Sequence, residues 1–200
     1  MYKFSIIVPH YDQTISDQTF MEGMQSLAAS TFQDFEVLLY HDGPLSRPLP
    51  ELPAGLKVKF RETSRRHNDW GHSLRDLGIR EAAGEYILHF NPDNLLAPDV
   101  LDQVVRINAD IVICAIVLEG TRRIGNRMMR TLSDGDRVIL DGFPPVLGNI
   151  DAMQLIMRTQ LWRSCGGWYD KSEQGDGRMY QEFCKKYMPH YCGYMIGVHR

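Results

Sequence analysis

The sequence has no paired cysteine motif, no apolar run long enough to cross a membrane and no excess of basic residues. Its cysteines form no C-x-x-C pair, which argues against a zinc knuckle or a dithiol redox site and favours a reducing cytoplasm. The formal net charge of -3, from 22 Lys and Arg against 25 Asp and Glu, argues against nucleic acid as the main partner. We therefore expect no transmembrane segment, and we expect no signal peptide because no cleavage signature follows the first residues.

Two glycine-rich nucleotide-binding signatures are also missing. No G-x-G-x-x-G follows a strand-like run, which argues against a dinucleotide-dependent oxidoreductase. A nucleotidyltransferase that makes sugar nucleotides is expected to carry a glycine-rich, basic phosphate loop after its first strand. The corresponding residues 8–12 read V-P-H-Y-D, so this second class of enzyme is also disfavoured.

What the sequence does contain is an alternation of strand-like and helix-like segments. At 200 residues, with 44% hydrophobic and 24% charged residues, the chain fits one globular domain of ordinary size. Short apolar runs predict strands, and apolar residues three or four apart predict helices between them. This alternation predicts an α/β fold with a largely parallel sheet flanked by helices. The predicted strands of the first half are 3–8, 35–40, 56–60, a run that begins at 86, and 110–118.

Beyond Glu119 the pattern is weaker. Residues 151–164 are predicted to form a helix, 176–187 another helix and 191–198 a final strand. A turn at 133–136 predicts a hairpin, so a small antiparallel part is expected here. Four arginines nearby are compatible with a grip on an anionic acceptor, a mobile lid or a solvated loop. They are Arg122, Arg123, Arg127 and Arg130.

The most informative stretch is residues 86–94, which read Y-I-L-H-F-N-P-D-N. An apolar run of strand length stops in a polar turn that carries one carboxylate, Asp93. In an open α/β sheet, ligands bind outside the carboxyl ends of the strands. Asp93 is therefore placed to hold a metal and the phosphates that the metal neutralises, although an ordinary Asx turn would use the same residue.

Three blocks, taken in order, carry a resemblance to a known family. The first is S-I-I-V-P-H-Y-D followed by F-E-V-L-L-Y-H-D-G, and the second is G-H-S-L-R-D-L-G-I-R-E-A-A-G-E-Y-I-L-H-F-N-P-D-N. The third is L-W-R-S-C-G-G-W-Y-D, followed by G-D-G-R-M-Y. Together they resemble the family 2 glycosyltransferases, which are nucleotide-sugar enzymes of the GT-A fold. The resemblance implies a single domain over 1–200, with a nucleotide-sugar-binding half at 1–118 and an acceptor-binding, catalytic-base half at 119–200.

The resemblance also implies residues for binding the nucleotide. Pro9 and Tyr11 match the family's opening P-x-Y, where the base sits, and Asp42 matches the Asp that contacts base or ribose. Arg75 matches the family's helical Arg and is expected to contact the diphosphate. The alternatives are a core aromatic for Tyr11 and a turn-forming role for Asp42.

For the metal, Asn91 and Asp93 stand at the family's DXD motif. Asn91 brings no charge where the family has an acid, so metal affinity is expected to be weaker than that of a full motif. Mn²⁺ or Mg²⁺ suits such oxygen ligands. His199 is the second candidate ligand, since relatives often place a His or Asp near the end of the domain; the alternative is a frayed terminal His.

Asp176 stands at the family's catalytic base, which removes the proton of an acceptor hydroxyl. Its alternative is a plain helix N-cap. Direct attack by the acceptor implies inversion at the anomeric carbon, with a UDP-sugar as donor and a glycan or polysaccharide as acceptor. A degenerate protein that binds nucleotide sugars without turnover is the rival hypothesis, supported by Asn91 and Gly175 at positions where the family has acids. Trp168 is either an apolar platform for a sugar ring or a core residue.

Overall fold

The computed structural model describes residues 2–119, 130–131 and 137–200. The arginine group of 121–130 and the predicted turn at 133–136 fall outside these residues, except for the strand backbone at 130. The strands are β1 (Phe4–His10), β2 (Phe35–His41), β3 (Val58–Glu62), β4 (Tyr86–His89), β5 (Leu95–Leu96), β6 (Ile111–Glu119), β7 (Arg130–Thr131), β8 (Arg137–Leu140), β9 (Leu155–Arg158) and β10 (His190–His199). The helices are α1 (Asp17–Ala28), α2 (His72–Glu81), α3 (Val100–Ile107), α4 (Thr159–Ser164) and α5 (Gly175–Lys186).

All the described strands belong to one sheet, with the order β3-β2-β1-β4-β9-β6-β10-β5 and with β8 and β7 branching from β6. The pairs β3–β2, β2–β1 and β1–β4 are parallel, as the alternation of strands and helices predicts. The strands β9, β8, β7 and β5 pair antiparallel, whereas β10 runs parallel to β6. The predicted antiparallel part is therefore present, and it is interleaved with parallel strands.

The helix prediction for 151–164 is wrong over residues 151–158. Residues 155–158 form β9, which fills the space between β4 and β6 and pairs antiparallel with both. Only 159–164 is helical, as α4. The apolar run L-I-M at the start of β9 has only three residues, and periodicity cannot separate a buried strand from a helix segment at that length. The β9 strand also makes the chain after Glu119 part of the main sheet.

Two hydrophobic cores lie on the two faces of the sheet, because successive strand side chains point to opposite faces. Phe4, Ile6 and Val8 contribute to one core with α1 and α3. Ile7 contributes to the other, which also contains residues of α2, α4 and α5. Sequence patterning accounts for this arrangement, since the apolar faces of the predicted helices are the buried ones. Among the described residues, no helix combines the length and apolarity that a membrane crossing requires.

The parallel strands bring several chain segments to one edge of the sheet. His10 pairs with His41, and Ile7 pairs with His89, so β1, β2 and β4 all end near the same place. Helix α1 packs closely against the turn after β4: a Cβ on Gly23 would lie 2.1 Å from the Pro92 carbonyl oxygen. A glycine in a helix interior lowers stability by about 1 kcal/mol relative to alanine. The close approach of the Pro92 carbonyl explains why a glycine occupies position 23.

Candidate active site

A cavity of about 610 Å³ opens at this edge of the sheet. It is lined by seven of the eight residues to which the sequence assigns a role. They are Pro9, Tyr11, Asp42, Arg75, Asn91, Asp93 and Asp176. The eighth, His199, contacts Asp151, which itself lines the cavity. Residues from three parallel strands, from α2 and from the start of α5 therefore surround one space.

Asp42 supports the loop that forms one wall of the cavity. Its Oδ1 accepts from the backbone N–H of His67 at 2.7 Å, and its Oδ2 accepts from that of Asn68 at 3.0 Å. Asp42 is 6% exposed, so its carboxylate is largely shielded from water, whereas the two donor residues are exposed. The Asp42 side chain therefore holds a distant loop, and its contact with a base or ribose stays a prediction.

Tyr11 lies beneath a basic side chain. The Arg66 guanidinium carbon is 3.8 Å from the centre of the Tyr11 ring, which is within the range of a cation–π contact. The next residue is fixed: Asp12 Oδ2 accepts from the Ser46 hydroxyl and backbone N–H, each at 2.7 Å. These bonds outweigh burial and lower the pKa of Asp12 to about 2. The segment that carries Tyr11 is therefore held in place, and its ring faces a cation.

Arg75 and Asn91 form a buried polar contact at the floor of the site. Arg75 donates from Nη2 to Asn91 Oδ1 at 2.5 Å and from Nη1 to the Trp70 carbonyl at 2.7 Å. The side chain is 3% exposed, and burial lowers the pKa of its guanidinium from the usual value. Asn91 thus meets a cation at a position where the family has an acid. Contact between Arg75 and a diphosphate stays a prediction.

Asp93 fits a role as a metal ligand, although it cannot make a site by itself. Its carboxylate lines the cavity and forms no hydrogen bond or ion pair with the residues that the structure describes. The backbone is fixed, because Arg200 Nε donates to the Asp93 carbonyl at 2.7 Å. Across the described ranges, no group of three or more His, Cys, Asp and Glu side chains is arranged to hold a metal. A divalent cation here would need further oxygen ligands, and diphosphate oxygens are suitable.

Asp176 has the properties of a base at neutral pH. Burial and the negative charge of Asp151 raise its pKa to about 6, against the effect of the Gly177 N–H, which donates to its Oδ1 at 2.7 Å. The pKa of Asp151 is lowered instead, because bonds from His199 and from the Met153 N–H outweigh its burial. Two neighbouring carboxyl groups whose pKa values are displaced in opposite directions are typical of pairs with different roles, and the role of Asp176 as the base stays a prediction.

Asp151 is the functional candidate that sequence reasoning missed. Its Oδ2 lies 3.1 Å from His199 Nδ1, and Val198 beside that histidine pairs with Leu95 of β5. His199 is thus held at the end of a paired strand, and its role as a metal ligand stays a prediction. In the sequence, Asp151 is an acid just before an apolar run, in I-D-A-M-Q-L-I-M. Its position at the start of a predicted helix gives no indication of a strand end or of a site.

Trp168 is a core residue, and the hypothesis of a sugar platform at this position is wrong. Its side chain is 0% exposed and stacks on Trp162, with ring centres 5.7 Å apart. Arg75 also approaches its ring, at 5.1 Å. Trp168 therefore stabilises the wall behind the site and does not line the cavity.

This cavity lies at the carboxyl ends of parallel strands, beside the N-P-D turn. That position agrees with the resemblance of the sequence to the family 2 glycosyltransferases. Residues 5–164 match Glycosyl transferase family 2, which is most of the chain. The chain belongs to glycosyl transferase family 2. This family member is 30% identical over 101 residues to the uncharacterized glycosyltransferase RC0461 of Rickettsia conorii, covering 50% of this chain and 16% of that protein. It is 28% identical over 120 residues to the Bacillus subtilis protein EpsH, covering 58% of this chain and 34% of that protein.

Solved structures share the fold of this family 2 chain. The mannosyltransferase PcManGT from Pyrobaculum calidifontis, in complex with GDP-Man and Mn²⁺, matches with a TM-score of 0.70 at 16% identity, over 98% of this chain and 56% of that one. S. aureus TarS in complex with UDP-GlcNAc matches with a TM-score of 0.66 at 18% identity, over 99% and 59%. The chain therefore spans less than two thirds of these structures, and about a third or less of the two relatives. The predicted α/β fold of the GT-A type is confirmed.

Proposed function

We propose that this chain is an inverting glycosyltransferase that moves a sugar from a UDP-sugar to a hydroxyl group of a glycan or polysaccharide. The observation that carries this proposal is the cavity, where Tyr11 and Asp42 of the donor half meet Asp176 of the other half. In this proposal residues 1–118 bind the nucleotide sugar, and residues 119–200 supply the base and receive the acceptor. S. aureus TarS is known in complexes with UDP and with UDP-GlcNAc, which supports the choice of a uridine donor.

Asp176 removes the proton of the acceptor hydroxyl. With a pKa of about 6 it is mostly ionised at pH 7, yet it is more basic than an exposed aspartate. It lies in the first turn of α5, where the helix dipole also favours its charged form. The freed oxygen attacks the anomeric carbon from the face opposite the nucleotide, so the configuration at that carbon inverts. A covalent intermediate is not required, because one base is sufficient for a direct displacement.

The donor's diphosphate is proposed to lie between Arg75, Asn91 and Asp93. Arg75 supplies positive charge from a position that Asn91 and the Trp70 carbonyl fix on both sides. Such a preorganised cation stabilises the charge that develops on a leaving nucleoside diphosphate without reorganising during the reaction. Asp93 would hold Mn²⁺ or Mg²⁺, which supplies additional neutralisation when bound. PcManGT, known with GDP-Man and Mn²⁺, supports a divalent cation.

The test is release of UDP from UDP-glucose, UDP-galactose and UDP-GlcNAc without an acceptor, in the presence of Mn²⁺. We expect slow hydrolysis of one donor, because water can replace the acceptor, and we expect the release to disappear with EDTA. Asp176→Asn should abolish the release, whereas the matched control Asp34→Asn, at an exposed carboxylate, should retain it. Unchanged release from Asp176→Asn would refute its role as the base.

The rival hypothesis is a protein that binds nucleotide sugars without turnover. Its support is the neutral Asn91, whose amide oxygen is engaged by Arg75. Such a protein would bind UDP in calorimetry, yet it would release no UDP from any of the three donors. The same two measurements therefore separate the two functions.

A further inference from the structure

Trp70 is the exposed tryptophan of this chain. Of the three tryptophans, Trp162 and Trp168 are 0% exposed, whereas Trp70 is 62% exposed and lines the cavity. A large aromatic side chain that stays in water does not contribute the free energy of burial that normally stabilises the fold. Its place at the cavity mouth offers a reason for this exposure.

The loop that carries Trp70 has a strained backbone. The φ angles of Asn68 and Trp70 are 55° and 56°, in the left-handed region that bulky residues seldom adopt. Gly71 follows at 79°, and a Cβ there would lie 2.6 Å from Pro9 Cβ. Strain of this kind persists only where surrounding contacts determine the conformation, and it is concentrated at functional sites.

Three side chains hold this loop in place. Asp42 accepts from the backbone at 67 and 68, and Arg75 donates to the Trp70 carbonyl. Asp69 Oδ2 accepts from the Ser73 N–H at 3.0 Å and from its hydroxyl. The backbone beneath the exposed ring is therefore fixed on both sides, so the loop presents the indole in a defined position.

The neighbours of Trp70 connect it to the segment before the proposed base. Its ring centre lies 6.4 Å from that of His72, and His72 Nε2 lies 2.9 Å from the Ser172 carbonyl oxygen. Lys171 also donates to the His72 carbonyl at 3.1 Å. Glu173, which follows this segment, lines the cavity together with Asp176. Trp70 thus lies on the part of the cavity wall that is joined to the acceptor half.

We propose that the Trp70 indole is the platform on which a pyranose ring of the saccharide acceptor stacks. This inference rests on the proposed function. A neutral indole matches the apolar C–H face of a pyranose, and Glu173 at the rim is suited to accept hydrogen bonds from ring hydroxyls. The ring determines acceptor binding, whereas the nucleotide is bound by other residues.

The experiment titrates methyl β-glycosides of glucose, galactose and N-acetylglucosamine into protein saturated with UDP and Mn²⁺, by calorimetry and by tryptophan emission. We expect one glycoside to bind and to change the emission, since Trp70 is the tryptophan exposed to it. Trp70→Asn should weaken that glycoside at least tenfold, because Asn tolerates the left-handed backbone but has no ring. Trp70→Phe should retain binding within about threefold while losing the emission change.

Affinity for UDP separates failure of this inference from failure of the proposed function. Both variants should bind UDP within about twofold of the wild type, and both should show a native circular dichroism melt. If no glycoside binds the wild type while UDP does, the platform is refuted and the transferase proposal stands. If Trp70→Asn weakens UDP and leaves the glycoside unaffected, the ring belongs to the nucleotide and the inference is wrong. If neither UDP nor a glycoside binds, both proposals fail.

Discussion

Arg75 and Asn91 are joined by a 2.5 Å hydrogen bond at a position where a carboxylate would form a buried ion pair. This contact explains how an amide can occupy the first position of a DXD-like motif. The guanidinium needs an acceptor, which the amide oxygen provides, and the site loses one negative charge in the exchange. Asp93 is then the only acid of the N-P-D turn.

The substitution Asn91→Asp restores that charge, and it should strengthen metal-dependent binding of UDP. More negative charge among the ligands raises affinity for a divalent cation. We expect the dissociation constant of UDP with Mn²⁺ to fall about tenfold, which is about 1.4 kcal/mol, and we expect little change in EDTA. Calorimetry with and without Mn²⁺ measures both values. If the dissociation constant of UDP falls equally with Mn²⁺ and in EDTA, the added carboxylate acts through Arg75 and not through the metal.

The variant Asp176→Asn should lose turnover while binding UDP normally. Removing a positioned general base reduces the rate by about 10² to 10⁴, and the nucleotide does not depend on this residue in the proposal. In the wild type, the base must be ionised, so activity should rise with pH through about 6, the pKa of Asp176. A wild-type profile that is flat between pH 5 and 7 would contradict this assignment.

Replacing Asp176 should also stabilise the fold above pH 6. Its folded pKa, about 6, exceeds the ordinary value of 3.8, so the folded state holds the proton more tightly than the unfolded state. The contribution of this carboxyl to stability is therefore present at low pH and is lost as pH rises through 6. Asp176→Asn lacks that penalty, so its Tm should exceed the wild-type Tm at pH 7.5 and approach it at pH 4. A lower Tm for the variant at both pH values would show that the carboxylate is needed structurally, in the first turn of α5.

Asp151→Asn should move the acid limb of the activity profile to lower pH. The charge of Asp151 raises the pKa of Asp176, and an uncharged amide removes that effect while retaining the shape of the side chain. The direction of this shift distinguishes the electrostatic effect from a general loss of structure, which would lower the rate without moving the acid limb. The measurement is the pH dependence of UDP release between pH 4.5 and 8. Asp141→Asn, at an exposed acid outside the cavity lining, is the matched control.

Local sequence predicted where most of the residues that line the cavity lie in the fold, whereas their roles come from the family resemblance and stay predictions. Asp42 and Asp93 follow apolar runs that had to be strands, and parallel strands bring such turns to one edge of a sheet. Asp151 is harder to find in this way, because its apolar run resembles a helix segment and its partner His199 is distant in the chain and comes near it through β10. The burial of the tryptophans is also not predictable from the sequence, since composition does not show whether Trp70 or Trp168 is buried.

Finally, Asp42→Asn should destabilise the protein and weaken its affinity for UDP. The two carboxylate oxygens accept from two separate N–H groups, and an asparagine can accept from only one, so its NH₂ group would face a second donor. An unsatisfied buried donor costs about 1–3 kcal/mol, which corresponds to a Tm decrease of roughly 2–12 °C in a chain of this size. Thermal denaturation measures the loss, and Asp34→Asn, at an exposed acid, should leave the Tm unchanged. If Asp42→Asn weakens UDP binding without lowering the Tm, Asp42 contacts the nucleotide directly and is not needed to hold the loop at 67–68.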